Sequence, residues 1–108
     1  MSSRPTVVVT GAAASGIGEA VTRRLLDDGY RVIGTYGKGD GDRAQRLSLD
    51  LGSDCELIQV DLWNRRDLDD FVNSLHRAAH GAAWDIHALV NAEYYFTPED
   101  PDKFNHDE

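Results

Sequence analysis

Apolar and polar positions change period several times along the chain, and each change marks an element. Thr6–Thr10 ("TVVVT") is an unbroken β-branched run between Pro5 and Gly11, the pattern of a short buried strand. From Ile17 the period becomes helical. Ile17, Val21 and Leu25 recur four apart with Leu26 beside them, charges fill the other face through Asp28, and Gly29 is placed to end the helix. Arg31–Gly37 ("RVIGTYG") reads as a second strand, "GKGDGD" as a turn cluster and "RAQRLSLDLG" as a shorter helix. Cys55–Leu62 is a third strand. The stretch after it is a long helix with an apolar stripe of Leu68, Phe71, Val72, Leu75 and Ala79, with Asn64 as its N-cap and Gly81 as the cap at its end. Asp85–Ala92 ("DIHALVNA") is a fourth strand. From Glu93 the chain has no clear period, holds two of the three prolines and reads as loop.

Strands that alternate with helices build a parallel sheet. Right-handed crossovers lay the first two helices on one face and the third on the other if the fourth strand returns beside the first. The strand order is then 3-2-1-4, with a topological switch between strands 1 and 4. Open α/β sheets bind ligands at that crevice, and the Gly-rich stretch "TGAAASGIGEA" lies at its lip.

Composition narrows the function classes. At 108 residues the chain is one small domain that buries roughly 60–70% of its unfolded surface. A net charge of −8 argues against nucleic acid or an anionic membrane as partner. No apolar run approaches the ~20 residues of a membrane span, and "MSSRP" lacks the apolar core of a leader. The single cysteine, Cys55, forms no intrachain disulfide and fits a reducing, cytoplasmic home.

Gly11, Gly16 and Gly18 permit a tight turn and close backbone approach, and the helix beginning near Ile17 offers N–H groups and a positive dipole end to an anion. Gly11 to Gly16 matches the first part of a P-loop. That motif continues with Lys and then Ser or Thr to reach the phosphates and magnesium, whereas Ile17 and Gly18 follow here. Triphosphate hydrolysis is thereby disfavoured. The literal G-x-G-x-x-G fingerprint is absent as well.

What the stretch resembles is the cofactor loop of the short-chain dehydrogenase/reductase family, T-G-x-x-x-G-[IL]-G, through Thr10, Gly11, Gly16, Ile17 and Gly18. This chain has four residues, not three, between the first two glycines, which is expected to widen the loop. Val60-Asp61-Leu62 is similar to the family's aspartate-plus-aliphatic pair after strand 3, and Leu89-Val90-Asn91 to its "LVNNAG" after strand 4; Glu93 replaces the expected glycine region. The resemblance implies a Rossmann-like three-layer half-domain over residues 1–92, followed by an acidic tail, 93–108. It implies a dinucleotide held by Thr10, Gly11, Ser15, Gly16, Ile17, Gly18, Tyr36, Lys38, Asp61, Leu62 and Asn91. The strand 2 tip, Tyr36-Gly37-Lys38, has no acid, and Lys38 lies just beyond it. A basic residue there accommodates the 2′-phosphate of NADP, whereas an acid takes the 2′-hydroxyl of NAD, so NADP is the expected cofactor with NAD as the other candidate. A solvated turn lysine is the other reading of Lys38.

The family's proton relay uses a Tyr-x-x-x-Lys pair. No Tyr here is followed four residues later by Lys, so the chain resembles the family's N-terminal half and carries no assigned catalytic residue. His76 and His80 stand four apart but lack further ligands of a zinc set, and the tail's acids lack the spacing of a calcium loop; no metal is expected. Three readings stay open: a cofactor-binding half inactive alone, a non-catalytic interaction module, and the cofactor-binding part of a reductase completed by another chain. An exposed strand 4, or the tail with Tyr94, Tyr95 and Phe96, is expected to pair two copies as a homodimer.

Overall fold

A computed structural model describes residues 5–13, 16–81 and 85–92. Strands β1 (Pro5–Thr10), β2 (Arg31–Tyr36), β3 (Cys55–Gln59) and β4 (Asp85–Asn91) alternate with helices α1 (Gly16–Asp27), α2 (Gly41–Leu51) and α3 (Arg65–Gly81). The strands form one parallel sheet in the order β3-β2-β1-β4, the expected topology.

The unbroken apolar run of β1 follows from its central place. Successive side chains point to opposite faces, so both faces need covering. Val7 and Val9 lie under α1 and α2, against Val32, Val21, Leu25, Leu26 and Leu51. Val8 lies on the other face with Ile33, where α3 brings Phe71 and Leu75. These three β1 valines are no more than 2% exposed, and each contributes about 1.5–3 kcal/mol by burial.

The helix ends follow local chemistry. Gly29, at φ +95°, closes α1; its N–H donates to Leu26 O and the Tyr30 N–H to Leu25 O, both at 3.0 Å, the Schellman pattern. Asn64 caps α3, its Oδ1 accepting from the Asp67 N–H at 3.0 Å. Arg23 of α1 reaches Asp50 of α2 at 2.6 Å and Glu19 at 3.0 Å. This pairing is solvent-exposed and therefore worth little.

Some boundaries and burials differ from the sequence expectation. The third strand stops at Gln59, not Leu62, because its neighbour β2 ends at Tyr36, the last register partner; only the Val60 N–H still reaches Tyr36 O. The turn cluster after β2 is a 3-10 turn, Lys38–Asp40, and α2 already begins at Gly41. Ile17 is 71% exposed, because the first turn of α1 lies beyond the end of the sheet that the rest of its stripe covers. Val72 is exposed as well. It faces, with Leu89, a groove of about 380 Å³ between α3 and β4. Among the described residues β4 pairs with β1 alone. No helix among them is long and apolar enough to cross a membrane.

Candidate cofactor-binding site

The site grows from the C-terminal ends of the strands. β1 ends at Thr10, in register with Asn91 at the end of β4. The Thr10 hydroxyl donates to Asn91 Oδ1 at 2.5 Å, and the Ala92 N–H donates to Thr10 O at 3.1 Å. The topological switch is thus latched at its lip by residues the sequence singled out.

Gly11 turns the chain out of the sheet at φ +72°, a backbone conformation that side chains disfavour. Its N–H donates to Thr35 Oγ1 at 3.2 Å, and the Ala12 N–H to Thr35 O at 2.9 Å. Ala12 and Ala13 are both fully buried, Ala13 against Ala44 and Leu47 of α2. The first part of the loop is therefore a packed turn rather than an open cradle. Two of the four residues between Gly11 and Gly16 are consumed in this packing.

Gly18 lets α1 dock on that turn. A Cβ on it would stand 1.9 Å from Gly11 O and 2.8 Å from Gly11 C. Thr22 braces the same contact, its hydroxyl donating to Gly18 O at 2.8 Å. Gly16 is the opposite case, since a Cβ there meets nothing within 4 Å. Gly16 and the exposed Ile17 open the helix start to solvent, where the dipole and the first-turn N–H groups favour an anion. Ser15 lies outside the described residues.

The other expected residues border the same edge of the sheet. Tyr36 is half-buried and packs on the Ala13, Ala44 and Leu47 cluster. Lys38 is exposed at the tip of β2. Beyond β3, Asp61 is exposed; its Oδ1 accepts from the Trp63 N–H at 3.0 Å and its own N–H donates to Asp67 Oδ2 at 3.2 Å. Leu62 packs inward beside Val60 and Phe71, leaving the Asp61 carboxylate on the outer side of the turn.

Two residues escaped the sequence reading. Thr35 is fully buried and holds both Gly11 and Ala12; a hydroxyl within the apolar strand "VIGT" was the one available signal. Asp40 corrects the expectation of an acid-free strand 2 tip. Its Oδ2 lies 3.7 Å from where a Cβ on Gly37 would be, because the 3-10 turn, closed by the Asp40 N–H to Gly37 O bond at 3.0 Å, folds the carboxylate back. Lys38 and Asp40 therefore share one turn at the tip of β2. Cys55, at the start of β3, takes no part: its thiol is buried and pushed up to about 11 by desolvation, with Glu56 adding to the effect.

Comparison with known proteins gives the family. The family model described as enoyl-(acyl carrier protein) reductase matches residues 11–96. The NADP-dependent 3-hydroxy acid dehydrogenase YdfG of Escherichia coli strain K12 is 38% identical over 86 residues, which are 79% of this chain and 32% of that protein. A closed form of serine dehydrogenase complexed with NADP+ superposes with a TM-score of 0.57 at 38% identity, over 64% of this chain and 27% of the other. A structure described as a putative betaketoacyl-ACP reductase gives a TM-score of 0.67 at 26% identity, over 84% of this chain and 34% of the other. The chain spans about a third of the length of the curated relatives it matches. With its parallel sheet order and a family-model match over residues 11–96, the chain belongs to the enoyl-(acyl carrier protein) reductase family of short-chain dehydrogenase/reductases.

Proposed function

We propose that residues 1–92 are a dinucleotide-binding half-domain that takes NADP in preference to NAD, with 93–108 an acidic segment outside it. The observation that carries this reading is the docking of Gly18 on Gly11 beside the latched Thr10–Asn91 switch. It supports the start of α1 as the phosphate end of the crevice where such sheets take ligands. Thr10, Gly11, Ser15, Gly16, Ile17 and Gly18 would form the pyrophosphate end. Tyr36 and Lys38 would face the adenosine ribose, Asp61 and Leu62 the adenine, and Asn91 the inner end of the crevice. The open ground at Gly16, the exposure of Ile17 and Asp61 and the exposed cation at Lys38 fit the group. NADP(H), when bound, supplies or accepts a hydride.

The NADP dependence of the related 3-hydroxy acid dehydrogenase and the NADP+ complex of serine dehydrogenase support the choice of cofactor. Without a Tyr-x-x-x-Lys pair in its sequence, this chain alone is a binder rather than a catalyst, working in a reducing, cytoplasmic setting. Calorimetric titration tests it. NADP is expected to bind more tightly than NAD, and purified protein to show no NADPH-dependent carbonyl reduction. Binding of neither nucleotide at millimolar concentration would sink the cofactor reading, and NAD binding tighter than NADP would overturn the preference.

A second reading, self-association, rests on a different observation. Leu89 of β4 is 66% exposed and Val72 of α3 is 52% exposed beside the groove between these elements, and an unpaired sheet edge recruits further strands. A homodimer through β4 or the 93–108 segment would cover this face. Light scattering across a dilution series should show dimer for the wild type and monomer for Leu89→Lys; a wild-type monomer at every concentration contradicts the reading.

A further inference from the structure

Resting on the cofactor reading above, we propose that Thr35 is a positioning residue for the dinucleotide, its hydroxyl setting the shape of the Gly-rich loop through Gly11.

Thr35 sits at the C-terminal part of β2, fully buried, in the strand next to the one that feeds the loop. It holds two successive loop amides. Its Oγ1 accepts from the Gly11 N–H at 3.2 Å, and its carbonyl accepts from the Ala12 N–H at 2.9 Å. The second bond is available to any residue at this position, because it uses the backbone. The first requires a side-chain acceptor of short reach. It falls on the residue that must hold φ +72° to leave the sheet. The neighbouring Gly34 tightens the same contact: a Cβ there would stand 2.6 Å from Ala12 Cβ, so β2 and the loop lie in close apposition. On the other side, α1 touches the loop at the Gly11 carbonyl through Gly18. The Gly11 peptide is thus clamped between β2 and α1.

This clamp has a consequence for the ligand. The Gly11 and Ala12 N–H groups point at Thr35 and are not offered to a phosphate. The pyrophosphate is therefore left to the groups that follow these two amides, the first turn of α1 from Gly16 among them. The clamp determines where that turn stands relative to β1. Loss of the Thr35 hydroxyl leaves a buried amide without an acceptor, and such groups are costly enough to move the backbone. The loop would shift, and the nucleotide would lose affinity without losing a direct contact. Because Thr35 acts on the pyrophosphate end, NADP and NAD should suffer alike. That separates it from Lys38, which bears on the 2′-phosphate alone.

The experiment compares Thr35→Val, which keeps the shape and removes the acceptor, with Thr35→Ser, which keeps the acceptor and removes the methyl. Amide exchange is followed by NMR on the full chain, and NADP and NAD affinities by calorimetry. T35V is expected to speed exchange at Gly11 about tenfold, while Val7, Val8 and Val9 stay as protected as in the wild type. It should weaken both nucleotides by about the same factor, with their ratio unchanged; T35S should restore both readouts to within about twofold. Urea midpoints confirm that the variants are folded, and Thr35→Ala replaces T35V if the latter is not. Unchanged Gly11 exchange with unchanged affinity in T35V, or failure of T35S to restore them, overturns the proposal. If the wild type binds neither nucleotide, the cofactor reading falls and the ligand part of this inference with it. The Gly11 exchange then decides whether Thr35 sets the loop.

Discussion

Gly18→Ala isolates the contact on which the site depends. A new Cβ would stand 1.9 Å from Gly11 O, 2.8 Å from Gly11 C and 3.1 Å from Ala12 Cα. All three are backbone atoms, so no side chain can swing aside. Bringing the oxygen contact to even 3.0 Å requires a movement of about 1.1 Å, the difference between 3.0 and 1.9 Å. The Gly11 carbonyl shares its peptide plane with the Ala12 N–H, which donates to Thr35 O, so the movement strains a buried hydrogen bond as well. Overpacking costs about 1–3 kcal/mol and a strained or lost buried bond about 1–3 kcal/mol. The helix propensity of alanine returns about 1 kcal/mol. The net expectation is a loss of about 1–5 kcal/mol, a large part of the ~5–15 kcal/mol that holds a small domain. Gly16→Ala is the matched control: it gains the same propensity and meets nothing within 4 Å. In urea melts followed by far-UV circular dichroism, the G18A midpoint should fall by about 1–2 M, with G16A equal to or above the wild type. A G18A midpoint at or above that of the wild type would refute the close-docking argument.

Three further outcomes are expected. Lys38→Glu should weaken NADP at least about tenfold and leave NAD within about twofold, while Asp40→Asn should strengthen NADP; calorimetry showing either variant unchanged for both nucleotides removes that residue from the ribose end. Cys55 should react with a thiol reagent at pH 8 far more slowly in the folded than in the urea-unfolded chain, because its pKa is raised from 9.0 to about 11 by burial. The folded state holds this proton more tightly than the unfolded one, so the contribution is fully present below pH 9 and is lost as pH rises through 11. That contribution is at most about 2–3 kcal/mol, and equal labelling rates in the two states would contradict the burial. Asn64→Ala should remove the acceptor for the Asp67 N–H and cost about 0.5–2 kcal/mol. An unchanged urea midpoint would show that this cap carries no weight.

The parallel sheet and its strand order were legible in the sequence, because the β-branched runs alternate with helical periods and right-handed crossovers leave few arrangements. The Gly-rich loop was legible because glycine is nearly obligatory where a backbone turns at φ +72° or must admit another backbone, as at Gly11 and Gly18. Asn64 was readable as a cap because capping is a contact within four residues. Tertiary structure decided what depends on partners distant in the chain. The third strand ended early because β2 ended first. Ile17 was exposed because its place in the helical period says nothing about how far the sheet extends beneath it. The division of the loop into a packed turn and an open helix start was invisible in "GAAASG", since it depends on Thr35 from the next strand, 24 residues after Gly11. Asp40 came to the strand 2 tip only through the fold of a 3-10 turn. Periodicity records which side of an element is covered, whereas hydrogen bonds between strands and the reach of a folded turn exist only once the chain has closed on itself.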